Sequence, residues 1–132
     1  MARFHLGEDA TELAGTVLTF GFRRTAREHF RHDPATALEV ENAIAAIEDE
    51  IARASPPRTA QLVSSDAAVR DIALAAGVSA AARMILARDA VEQAFERSLR
   101  RSPDNEHMAA LLILRELMHH LDIASVEYRQ SA

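Results

Sequence analysis

Cysteine is absent from the 132-residue chain. That excludes disulfides, thiolate zinc sites, iron–sulfur clusters and a cysteine nucleophile. Tryptophan and lysine are also absent, so all 15 basic residues are arginine. We attribute the arginine bias to a GC-rich coding sequence rather than to chemistry. Four glycines and four prolines leave little material for tight hairpins. Long apolar runs are missing too. The longest, Met108 to Leu114, falls far short of the roughly 20 residues a membrane span needs. Met1 to Glu8 carries no signal-peptide apolar stretch. These features point to a cytoplasmic protein without membrane contact. The net charge of −5 and pI near 5.6 argue against a strongly basic nucleic-acid binder, though they leave room for a local basic patch.

What is present favours helix. Alanine, the best helix former, fills about a fifth of the chain. Apolar residues at 48% and charged residues at 27% describe an ordinary globule. The length suits one domain over residues 1–132. Asp9 and Glu12 have capping-box spacing and predict a helix start. Leu13, Val17 and Phe20 supply one stripe, and Leu18, Phe22, Ala26 and Phe30 another. Asp33 followed by Pro34 predicts a second start. Val40, Ile44, Ile47 and Ile51 then form a 3-4 seam. Ser55-Pro56-Pro57 ends that helix and opens a Pro-rich linker near 55–58. Ser64, Ser65 and Asp66 read as a cap region, Gly77 as a helix C-terminus and Ser79 as the next cap, leading to Arg101. Ser102-Pro103-Asp104 opens the last long helix, whose apolar half from Met108 to Leu114 predicts the most buried element. The tail from Ala124 reads as helix that frays. No alternating strand pattern stands out. The expectation is an all-α domain, a compact bundle of five or six helices.

Residues 69–86, from Val69-Arg-Asp-Ile-Ala through Gly77-Val-Ser79 to Leu86, resemble the helix-turn-helix of bacterial transcription regulators. The resemblance implies that the helix after Gly77 enters the major groove, with Ser79, Arg83 and Arg88 as the DNA-contacting residues. Arg83 stands where that family carries a branched apolar residue, and Ala80-Ala81-Ala82 offers base edges no hydrogen bonds.

Glu116, His119 and His120 form a second constellation. Glu-x-x-His is the spacing of metal-binding helix bundles, although a complete di-metal set needs a second such motif. His32-Asp33 matches the doublet of metal-dependent phosphohydrolases, but Asp33 is explained as a cap. Glu39, Glu41, Glu48 and Glu50 could suggest an acidic metal cluster, but they spread around the helix and read as solubilising charge. No phosphate-binding glycine loop and no nucleophile elbow is present.

The sequence therefore supports a small non-enzymatic helical interaction protein, a homodimer or accessory subunit needing no cofactor. Self-association or another protein partner would use Val40, Ile44, Ile47, Ile51, Leu114 and Met118. The alternatives are a DNA-binding regulator and, third, a metal-binding helical bundle.

Overall fold

The computed structural model describes residues 1–101 and 103–131. Ser102, expected to cap the last long helix, lies outside them. The described residues form six strands as well as five helices, so the chain is an α/β fold and not an all-α bundle. The elements run β1 (Ala2–Leu6), β2 (Thr11–Leu13), β3 (Thr16–Leu18), α1 (Phe22–His29), α2 (Ala37–Ala54), β4 (Gln61–Ser64), α3 (Ala67–Ala75), β5 (Arg83–Ala87), α4 (Arg88–Arg101), α5 (Asn105–His120) and β6 (Ser125–Arg129). One mixed sheet has the order β3-β2-β1-β4-β6-β5. β1, β4 and β6 are parallel. β2, β3 and β5 run antiparallel to their neighbours.

The helix expected from Asp9 is replaced by a β-hairpin up to Leu18. Ala14 and Gly15 both take positive φ, 51° and 85°. Two such residues form the mirror-image turn that matches strand twist, and they pair Leu13 with Thr16. Leu13 and Leu18 then face inward while Val17 faces solvent. The spacing that looked helical is thus divided between two strands.

Sheet alternation separates two faces. Phe4, Leu6, Leu13, Leu18, Leu62, Met84, Leu86 and Val126 are buried under the helices. Arg3, Val63, Glu127 and Ile85 form one cross-strand row on the opposite face. α5 is the hub of the helical layer and packs on α1, α2, α3 and α4. Its residues from Met108 to Leu114 are all buried, as an all-round apolar helix requires.

α2 ends where expected, at a left-handed Ser55. Its cap, however, is Thr36, which closes a capping box with Glu39. Of the six expected interface residues, Val40, Ile47, Ile51, Leu114 and Met118 are buried and Ile44 packs against the same core. They face other elements of their own chain.

The helix-turn-helix reading is overturned here. α3 and the Gly77 turn exist, with Gly77 at φ +92°, but no helix follows. The chain passes through residues 78–82, which hold no regular element, into β5, an edge strand with alternating exposure. The alternation of Arg83-Met84-Ile85-Leu86-Ala87 is the strand signal. Likewise Val126 and Tyr128 belong to a buried strand, not a frayed helix.

Candidate functional site

In open α/β sheets, ligands bind outside the carboxyl ends of parallel strands. Here β1 ends at Leu6 and the adjacent parallel β4 ends at Ser64. From β1 the chain enters the Gly7–Ala10 loop; from β4 it passes through Ser65 and Asp66 into α3.

Asp66 occupies the N-cap position of α3, but its side chain makes no cap hydrogen bond. The carboxylate is turned toward β1 instead. One oxygen accepts the Leu6 amide at 2.8 Å and the Ser64 hydroxyl at 2.9 Å. The other meets His5 Nδ1 at 2.8 Å. An ionised carboxylate only accepts, so Nδ1 is the donor in this pair and Nε2 is the ring nitrogen outside it. His5 is well exposed while the Asp66 side chain is only 19% exposed. A covered carboxylate thus orients an accessible imidazole.

The His5–Asp66 pair lines two cavities. One, of about 330 Å³, also touches Arg3, Glu12, Val63 and Ser65. The other, of about 540 Å³, lies between the Gly7–Ala10 loop and the start of α3, with Ala67 and Ala68 on its wall. The first amides of a helix lack intrahelical partners and favour anions. At α1 the loop satisfies such amides: Gly7 O accepts from Phe22 N, and Glu8 O from Arg23 N and Arg24 N. At α3 the N-cap side chain makes no such bond. Glu8 and Asp9 add negative charge to the rim, offset by Arg23 at 2.9 Å and Arg27 at 3.9 Å.

Gly7 is required by close approach. A Cβ there would lie 2.3 Å from the Ala10 carbonyl and 3.1 Å from His5 Nε2. Gly21 is similarly confined, with Glu8 carbonyl atoms 2.4 Å from a Cβ. Two of the four glycines therefore fix the loop.

The residues expected to contact DNA are dispersed. Ser79 is exposed in a loop, Arg83 pairs with Glu127 at 2.8 Å and Arg88 with Asp122 at 2.8 Å. His32 and Asp33 belong to the approach to α2, where His32 Nδ1 meets Glu39 at 3.1 Å.

Of the expected metal set, Glu116 and His120 come together and His119 does not. Glu116 is buried, and burial pushes its carboxyl above the ordinary value, opposed by Arg115. Arg115 Nη1 donates to Glu116 Oε2 at 2.7 Å, pairs bidentately with Glu92 and lies 4.4 Å over the Phe95 ring. His119 is exposed and meets the His120 ring edge-on. Glu48, read as solubilising charge, completes the cluster instead.

His5, Gly7 and Asp66 were not marked as a site by the sequence. His5 fell in an N-terminal stretch read only as lacking a signal-peptide apolar run, and Asp66 looked like a helix cap. The available signal was the alternation of Ala2-Arg-Phe-His-Leu6 ahead of a glycine.

No protein-family model and no curated protein matches the sequence. Solved structures do. A PPX-GPPA enzyme of Aquifex aeolicus superposes with TM-score 0.76 at 16% identity, over 97% of this chain and 52% of that one. An exopolyphosphatase-like protein gives 0.79 at 15%, over 98% and 54%. An exopolyphosphatase from Cytophaga hutchinsonii gives 0.71 at 10%, over 97% and 52%. The chain spans about half the length of these structures, and at such identity the likeness shows the fold. That fold is one carried by phosphatases. It removes the basis for a non-enzymatic helical interaction protein, for a helix-turn-helix regulator and for a metal-binding helical bundle, all of which rested on an all-α architecture. No described helix is long and apolar enough to cross a membrane.

Proposed function

We propose that the chain hydrolyses phosphoanhydrides, with inorganic polyphosphate as the substrate class. The observation that carries this reading is the His5–Asp66 pair beside the uncapped start of α3. The resemblance to exopolyphosphatases supports it and selects the substrate class.

A terminal phosphate seats against the Ala67 and Ala68 amides, where the helix dipole favours negative charge. Asp66 holds the His5 tautomer, so Nε2 is the basic atom. Water attacks the terminal phosphorus as Nε2 takes its proton. The bridging P–O bond breaks, and its electron pair leaves with the shortened chain. The products are orthophosphate and a polyphosphate one unit shorter. The rim carboxylates Glu8 and Asp9 disfavour a bare polyanion, so the substrate is taken as its magnesium salt.

The test is orthophosphate release from magnesium polyphosphate by the purified chain. Progressive release accompanied by end-shortening is expected. A preparation that releases none above the uncatalysed rate contradicts the assignment.

A further inference from the structure

A second cluster lies at the other pole of the sheet. α5 ends at His120 and leads through residues 121–124 into the amino end of β6. The crevice of His5 and Asp66 lies at the carboxyl ends. Near His120, α5 and α2 bring three donor atoms together. His120 Nε2 is 2.8 Å from Glu48 Oε2 and 3.3 Å from Glu116 Oε1. All three lie within 4.8 Å of one another. Glu116 and His120 share one helix face because they are four residues apart; α2 packs against that face.

We propose that Glu48, Glu116 and His120 bind one zinc-class divalent cation. Metal–ligand distances near 2.1 Å in a tetrahedron put donors about 3.4 Å apart. The His120–Glu116 separation already fits, and the His120–Glu48 separation needs to open by about half an ångström to match. Two carboxylates balance a divalent charge, and the imidazole selects zinc over magnesium or calcium, which prefer oxygen-only sets. Three protein ligands leave the fourth position to water.

The surroundings support this geometry. Arg115 holds Glu116 Oε2 at 2.7 Å, so Oε1 is the oxygen aimed at His120 and Glu48. Arg115 is itself fixed by Glu92 and Phe95. A ligand oriented by an outer partner is the usual arrangement in metal sites. Glu48 and His120 are each partly exposed, 44% and 34% for their side chains, so an ion can reach the site from solvent.

The competing account is His120 hydrogen-bonded between the two carboxylates without metal. Calorimetric titration with zinc chloride at neutral pH separates the two. One zinc ion per chain at micromolar affinity or better is expected. Glu48→Gln and His120→Ala should each weaken binding at least ~10-fold, and exposed His119→Ala should leave it unchanged. Both test variants alter partly exposed side chains, so folding survives and circular dichroism verifies it. Absence of stoichiometric binding, or affinity indifferent to Glu48→Gln and His120→Ala, overturns the site. The polyphosphate reading stands or falls separately.

Discussion

His5 and Asp66 stand 61 positions apart in sequence, yet their side chains meet at 2.8 Å across the ends of β1 and β4. The contact depends on strand pairing, because Ala2 aligns with Leu62 and Arg3 with Val63. It also depends on Asp66 giving its carboxylate to β1 rather than to its own helix. His5→Ala removes the proposed base and should lower kcat for phosphate release by about 10²–10⁴-fold. Asp66→Asn should lower kcat too, because the imidazole loses its orienting acceptor. Steady-state kinetics with a KM close to wild type would locate both effects in the chemical step. Full activity in His5→Ala would exclude His5 as base.

Gly7→Ala probes the loop. The added methyl would sit 2.3 Å from a backbone carbonyl, which cannot give way as a flexible side chain can. Overpacking of this kind costs about 1–3 kcal/mol. Urea denaturation should show a lower midpoint with an unchanged slope. A stability equal to wild type would mean that the loop is freer than described.

Acid stability should reflect two glutamates. The Thr36 amide, with help from His32 and the Arg31 and His32 amides, holds Glu39 at about 2, well below its ordinary 4.5. Arg53, with Thr19, holds Glu50 at about 2. A depressed carboxyl stabilises the fold above its unfolded value and loses that contribution as pH falls through the folded one. The window is therefore pH 4.5 down to 2. Glu116, raised by burial, has the opposite sign. A Glu39→Gln/Glu50→Gln variant should be less stable than wild type at pH 7, with the gap closing toward pH 2. A gap independent of pH would contradict the assignment.

Leu112 tests the hub. It is fully buried in the middle of α5. Leu112→Ala removes methyl groups from a close-packed interior and should cost about 2–5 kcal/mol. Thermal or chemical unfolding measures it. A cost below that range would show that the layer around α5 can collapse into the space.

The helices were legible where pattern and punctuation agree. The Val40–Ile51 seam ends at Ser55-Pro56-Pro57, and the apolar run of Met108–Leu114 predicts the buried α5. The sheet was not legible because its strands are three to five residues long. A three-residue strand such as Thr11–Leu13 shows barely one alternation. Alanine-rich flanks, helical by propensity, hid β5 behind Ala80-Ala81-Ala82. Propensity is local, whereas Arg83–Ala87 is extended because it pairs with Ser125–Arg129 some forty positions away. Glu116 and His120 were visible through their i, i+4 spacing. Glu48 was not, since only the packing of α2 on α5 brings it to them.

The central claim is that an anion binds between the Gly7–Ala10 loop and α3, beside His5 and Asp66. Nuclear magnetic resonance titration with pyrophosphate, following backbone amides and histidine ring signals, tests it most directly. The largest shifts should fall on the Ala67 and Ala68 amides and on the His5 ring, and Asp66→Asn should reduce the ring response. Shifts confined to other surfaces, or none up to millimolar pyrophosphate, would contradict the site.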